Sequence, residues 1–164
     1  MSSVPNSSAP AAELPALMPF ERMRIEDLPE VQQIENSAYP YPWTLGNFRD
    51  SLQSGYEAWL VREAAGALAG YFLVMMAVDE AHLLNITVRR DLHGRGLGRM
   101  LLDKVVQIAR GKRMASVLLE VRPSNVRALS VYQAYGFSLI GQRKGYYPAA
   151  ANTREDAIVM KLVL

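Results

Sequence analysis

The sequence predicts a mixed α/β fold, a sheet of antiparallel and parallel strands with helices packed on it, and two observations carry the prediction. Three strand-like runs, YEAWLVRE, GALAGYFLVMMAV and AHLLNITV, follow one another between Tyr56 and Val88 with the turn-sized connections EAAG and DE, the pattern of an antiparallel meander. Beyond Val88 a helical pattern, a short apolar strand and a second helical pattern alternate, so the later strands must be joined through helices lying on the sheet. With 164 residues and 50% hydrophobic content the chain can bury one sizeable core, which predicts a single domain over residues 17–164.

The elements follow in order. Residues 1–16, rich in Ser, Pro and Ala, bury too little apolar surface to offset chain entropy and are expected to form a disordered tail. MPFERMR, from Met18, alternates as a short strand. EDLPEVQQIENSAY reads as a helix with Asp27 as N-cap and Pro29 in its first turn. Pro40 and Pro42 block helix in YPYPWT, after which Thr44 caps a second helix, LGNFRDSL, ended by Gly55. Past the meander, Leu97, Met100, Leu101, Val105 and Ile108 recur at helical spacing, and Gly111 is the expected stop. ASVLLEV is a short buried strand, and RPSNVRALSVYQAYGF is a helix opened by Ser124 or Asn125 and closed at Gly136. FSLIGQRKGYYP and EDAIVMKLV are two final strands joined at about residues 148–154.

Composition excludes several classes of function. Without cysteine there are no disulfides and no thiolate ligands, and two separated histidines, His82 and His93, do not make a metal site, so no metal is expected. A net charge of +2 is too weak to signal nucleic acid, and no direct nucleic-acid partner is expected. No apolar run reaches membrane-spanning length, and MSSVPNSSAPAAELPAL has neither a basic start nor an apolar signal core. A cytoplasmic protein with no membrane partner is the expectation.

The stretch RRDLHGRGLGRML carries the chemistry. Gly94, Gly96 and Gly98 lie between a strand end and a helix start, where bare backbone amides and the helix N-terminus favour a phosphate. Arg89, Arg90, Arg95 and Arg99 add positive charge; a solvated basic turn is the alternative. ATP is disfavoured because Gly98 is followed by Arg99 and Met100 rather than by Lys and Ser or Thr. A dinucleotide fingerprint would need its third glycine at Arg99 or Leu101, and too little chain follows for a doubly wound sheet.

HGRGLGRMLL resembles the acetyl-CoA pyrophosphate loop of the GNAT N-acetyltransferases, whose pattern is Gln or Arg, two residues, Gly, one residue, then Gly or Ala. Gly96 and Gly98 match it, and His93 stands where Gln or Arg is usual. The resemblance spans roughly residues 18–163 and is strongest to the bacterial RimI type, which acetylates the N-terminal alanine of small-subunit ribosomal protein eighteen. YPYPWT, LLEVRPSNVRALSVYQAYGF, and GYYP followed by REDAIVM carry that closer likeness. It implies a GNAT fold: a central, mostly antiparallel sheet with a parallel pair at the CoA site, flanked by about four helices. It also implies acetyl-CoA as co-substrate. The pantetheine arm would lie along LLNITV on backbone groups at Ile86, Thr87 and Val88. Gly94, Arg95, Gly96, Leu97, Gly98 and Arg99 would hold the pyrophosphate, and Asn125 would contact the arm, unless it serves only as a helix cap.

The same resemblance assigns Glu120 as general base, directly or through a water, and Tyr132 as general acid. Plainer readings pair Glu120 with Arg122 or Arg127 and bury Tyr132 in packing. Tyr41, Pro42 and Trp43 on one side and Tyr146 and Tyr147 on the other would wall a peptide groove, against the alternative of loop packing. Glu35, Glu155 and Asp156 are candidates for contact with basic residues further along a substrate. At pH 7 roughly a tenth of an α-amine is neutral, against well under a thousandth of a lysine, so a protein N-terminus needs only a modest base. The expected partner is therefore a protein N-terminus, that of the ribosomal protein. The alternatives are a GNAT acting on internal lysines or small amines, and a CoA-binding protein without turnover.

Overall fold

Alternation along the central strands decides the layers of the structure. A computed structural model describes residues 13–164, in which Tyr71 and Leu73 join one apolar cluster while their neighbours Phe72 and Val74 join another on the opposite face. The strand that carries them, β3 (Leu68–Ala77), is buried on both sides and so reads as a nearly continuous apolar run. One face is covered by α1 (Leu28–Ala38) and α2 (Leu45–Gln53), which contribute Leu28, Val31, Ile34 and Phe48. The other is covered by α3 (Leu97–Gly111), whose Leu97, Leu101, Leu102 and Val105 are almost fully buried, and by the half-buried side of α4 (Val126–Tyr135).

The remaining strands are β1 (Glu21–Arg22), β2 (Glu57–Arg62), β4 (Glu80–Val88), β5 (Ser116–Val121), β6 (Ser138–Pro148) and β7 (Arg154–Val163). They form one seven-stranded sheet in the order β1-β2-β3-β4-β5-β7-β6. All pairs are antiparallel except β4 with β5, which is the mixed sheet with one parallel pair expected from the sequence. Four α-helices flank it among the described residues.

One irregularity shapes the middle of the sheet. Leu73 pairs with Asn85 but Val74 pairs with Leu83, so Leu84 is an extra residue bulged out of β4. Past the bulge β4 stays with β3 as far as Val88, while the parallel pairing to β5 ends at Leu83 and Leu119. Glu120 and Val121 continue instead with Val159 and Ile158 of β7. The sheet therefore splits, and a gap opens between the C-terminal ends of β4 and β5.

Several sequence expectations need correction. Residues 1–12 lie outside the described residues, but Glu13–Ala16, assigned to the tail, do not hang free. The Ala16 carbonyl accepts the Ala64 N–H at 2.8 Å, Leu17 bridges Glu63, and Leu14 and Leu17 pack on the larger core cluster, because apolar side chains beside a sheet edge gain burial there. The strand expected from Met18 keeps regular pairing only at Glu21 and Arg22, although hydrogen bonds from Met18 to Arg62 and from Met23 to Ala58 carry it alongside β2. Gly111 is the last helical residue rather than the stop; the chain turns at Arg113, at φ 60°. Asp27 turns its carboxylate back to the Arg24 N–H at 2.8 Å, closing a short 3-10 turn ahead of α1.

Candidate active site

The gap between β4 and β5 exposes a strand edge inside the sheet. The Arg89 N–H donates to the Ala69 carbonyl at 2.9 Å, and backbone groups point the same way at every second residue. Asn85 and Thr87 thus address β3, while Ile86 and Val88 turn their N–H and C=O groups toward the gap. Each of those carbonyls already accepts one hydrogen bond, from the Tyr39 hydroxyl to Ile86 at 3.0 Å and from His93 Nε2 to Val88 at 2.9 Å. His93 therefore ties the glycine loop to the end of β4.

The loop itself supplies N–H groups. Gly94 and Gly96 are in the left-handed region, at φ 76° and 88°, where a Cβ would be strained. Gly96 is the N-cap of α3 and has no side chain to satisfy the first-turn amides of Leu97, Gly98 and Arg99, since helical bonding begins with Met100 to Gly96 at 3.2 Å. The N-terminus of this 15-residue helix is thus a ready anion site. Leu97 offers only its backbone, because its side chain is in the core.

The arginines divide. Arg89 is spent on structure, donating to Asp91 at 2.6 Å, to Glu63 at 2.8 Å and to the Leu68 carbonyl at 2.8 Å, so it adds no free charge to the loop. The Arg95 side chain reaches away to the Glu13 carbonyl at 3.2 Å. Arg127, which the sequence offered only as a partner for Glu120, comes instead from α4 to the loop: a Cβ on Gly94 would lie 4.0 Å from its Nη2.

The opposite bank carries the acid–base candidates. Glu120 lies where β5 leaves β4, and its ion-pair partner is Arg143 of β6, at 3.3 Å, not Arg122 or Arg127. Asn125 Oδ1 accepts the Ala128 N–H at 3.2 Å, so it caps α4. Tyr132, one helix face further on, packs edge-on against Phe137 with centroids 5.8 Å apart. Burial pushes its phenol well above the usual value, and the nearby Tyr39 and Tyr147 push it further. Tyr147 links the two candidates electrostatically: burial raises it first, then the Glu120 carboxylate, and it adds in turn to the rise at Tyr132. A carboxylate, a phenol with no hydrogen-bond partner among the described residues, an open strand edge and a helix end with free amides thus converge on one gap.

Residues 28–137 match the acetyltransferase (GNAT) family. The chain belongs to the GNAT family of acetyltransferases. It is 38% identical over 136 residues to the ribosomal protein bS18-alanine N-acetyltransferase of Salmonella typhimurium, covering 83% of this chain and 90% of that protein. The enzyme of the same name from Escherichia coli is 35% identical over 136 residues, with the same coverage. The crystal structure of the ribosomal-protein-S18-alanine N-acetyltransferase from Escherichia coli superposes with a TM-score of 0.80 at 33% identity, over 88% of this chain and 92% of that one. Ard1 from Thermoplasma volcanium, at 23% identity and TM-score 0.79, shares the fold.

Around this GNAT site two further groups of residues are fixed. Tyr41 is exposed at the α1–α2 connection, with Pro42 half-buried beside it, and Tyr146 and Tyr147 of β6 meet edge-on at 4.9 Å. Burial and the neighbouring Glu120 carboxylate raise the Tyr146 phenol. Trp43 does not line a wall with them: its ring packs on Phe48 at 5.2 Å in the smaller core cluster. Glu35 is buried, not directed at a substrate. It accepts from Tyr71 at 2.5 Å, from Asn85 at 3.1 Å and from the Trp43 N–H at 3.2 Å. Asn85 in turn accepts from Thr87 at 2.8 Å, and Thr87 meets the Tyr39 hydroxyl at 2.7 Å, so one hydrogen-bonded chain runs from the core to the floor of the gap. Glu155 and Asp156 are equally occupied, by Ser124 and by the Gly145 N–H.

Proposed function

We propose that this GNAT enzyme transfers the acetyl group of acetyl-CoA to the N-terminal α-amine of a protein, with the N-terminal alanine of ribosomal protein bS18 as its substrate. The observation that carries the reading is a carboxylate, Glu120, and a neutral phenol, Tyr132, on the bank that faces an open strand edge, in a chain 38% identical to a bS18-alanine N-acetyltransferase. A ribosomal substrate places the reaction in the cytoplasm, and neither nucleic acid nor membrane need be contacted. Among the described residues no helix is long and apolar enough to cross a membrane.

The residues fit acetyl-CoA as co-substrate. The free amides of Leu97, Gly98 and Arg99, with the backbone of Gly94, Arg95 and Gly96, would hold its pyrophosphate. The N–H groups of Ile86 and Val88 would take the pantetheine amides as an added strand, as extended ligands do at a sheet edge. Asn125 keeps its Nδ2 for the same arm while its Oδ1 caps the helix.

Glu120 takes the proton of the attacking amine, with the Arg143 guanidinium 3.3 Å from its carboxylate. As the new C–N bond forms and the C–S bond breaks, Tyr132 holds the leaving sulfur with a hydrogen bond and passes a proton to it only as the amine's proton replaces it, so the phenol ends neutral. Because burial raises the phenol, it stays protonated and available as a donor at neutral pH. No residue of the chain forms a covalent intermediate, so both substrates are bound together.

The test is direct. Acetyl-CoA and alanine-initiated peptides are incubated with the protein, one set with a free N-terminus and one blocked but containing lysine, and the products are weighed. Acetylation of the free peptides alone is expected. Acetylation of the blocked set would overturn the α-amine reading, and CoA binding without product would make the chain a binder.

A further inference from the structure

The guanidinium of Arg122 joins four parts of the chain. It follows β5 directly, two residues after Glu120. Its Cζ lies 4.4 Å from the ring centroid of Tyr147 in β6 and 5.0 Å from that of Tyr41 in the α1–α2 connection. Nη1 donates to the Pro148 carbonyl at 2.8 Å and to Glu155 of β7 at 3.3 Å. Glu155 is itself held by the N–H and hydroxyl of Ser124, at 2.8 and 2.9 Å, immediately before the Asn125 cap. The Arg122 side chain is only 20% exposed, so these contacts are shielded from competing water.

We propose that Arg122 determines specificity for the first residue of the substrate by clasping Tyr41 and Tyr147 at a fixed spacing. This rests on the N-terminal acetylation proposed above. Two rings that both contact one planar cation cannot part without losing a cation–π contact, and the guanidinium cannot follow one ring without giving up Pro148 or Glu155. A small first residue passes this entrance with the clasp intact. A branched or aromatic one has to push the rings apart. Lysine does not substitute for the arginine, because a point ammonium on a flexible stem lacks the flat faces and the fork.

The test compares kcat/KM for otherwise identical peptides beginning with Ala or Leu, using the full chain and three variants. Arg122→Ala and Arg122→Lys should each shift the Leu-to-Ala ratio toward Leu by about tenfold, the scale on which apolar pockets discriminate by size. Tyr41→Ala, which removes an exposed ring but leaves the Arg122 hydrogen bonds, should shift it likewise and guards against a folding defect in the arginine variants. CoA affinity, measured in parallel, reports that the cleft is intact. An unchanged ratio in all three variants overturns the clasp, and so does a wild-type ratio in Arg122→Lys, since charge alone would then suffice. If the wild-type protein acetylates neither peptide, it is the proposed function that fails.

Discussion

Gly70 is the position where fold and site are most tightly coupled. A Cβ there would stand 2.9 Å from the Thr87 carbonyl oxygen, 3.3 Å from Leu101 Cδ1 and 3.7 Å from Val88 Cα. Leu101 is fully buried, and the carbonyl belongs to the β3–β4 ladder, so neither neighbour can simply swing aside. Overpacking of this kind costs about 1–3 kcal/mol. Loss of glycine's freedom in the unfolded chain offsets about 0.4–1 kcal/mol of it. Gly70→Ala should therefore destabilise the protein by about 1.3 kcal/mol at the middle of these ranges, which for a chain of this size lowers Tm by roughly 3–5 °C. Relief of the clash moves the end of β4, where Val88 holds His93 and abuts Gly98, so CoA affinity should fall as well. Calorimetric melting and CoA titration of the variant and of Gly111→Ala, where nothing lies within 4 Å, provide the measurement and its control. A Tm for Gly70→Ala equal to or above the wild-type value would refute the reasoning.

Further expectations concern the site. Glu120→Gln should lower kcat by about a hundredfold or more with CoA affinity unchanged, and a loss smaller than about tenfold in steady-state assays would remove it as the base. Tyr132→Phe should slow the acetyl-transfer step in single-turnover experiments while leaving CoA binding intact; an unaltered rate constant leaves the phenol with a packing role alone. Burial raises the Glu35 carboxyl, outweighing the hydrogen bonds from Tyr71, Asn85 and Trp43 that lower it. An acid harder to ionise in the folded state favours folding below its ordinary value of about 4.3 and loses that advantage as pH rises to its folded value. Denaturant melts of wild type and Glu35→Gln should show the wild-type advantage shrinking across that window; a growing advantage would reverse the sign. Asn125→Ala should cost about 1 kcal/mol through loss of the cap, read by thermal melting.

The pattern of hydrophobic residues made the local elements legible, and short motifs made the site so. The antiparallel meander, the capped helix at Thr44 and the helix between Asn125 and Gly136 all depend on residues within a few positions of one another. What escaped detection depends on distant pairing. Nothing local in FSLIGQRKGYYP says that β7 inserts between β5 and β6, and without that register Arg143 cannot be seen to reach Glu120. Glu35 looked like a surface acid because helix periodicity does not reveal that Asn85, 50 residues later, and Tyr71 will meet it inside. Arg89 looked like free positive charge beside the glycine loop for the same reason: Glu63 is brought to it by the meander, 26 residues away in sequence. Trp43 was placed by its aromatic neighbours in YPYPWT, whereas Phe48 on the next helix decided where its ring goes.

The bulge at Leu84 has a cost that the rest of the sheet avoids. Proteins usually keep unpaired strand edges at the periphery and blunt them with lysine, proline or covering loops. At Ile86 and Val88 none of these defences is open in the function proposed above, where the amides that a stray strand could capture take the pantetheine arm. Amide exchange at these two central residues should be rapid in the protein alone and slow once CoA is added. Cellular supply of the co-substrate would then act as a chaperone for this fold as well as fuel for its chemistry.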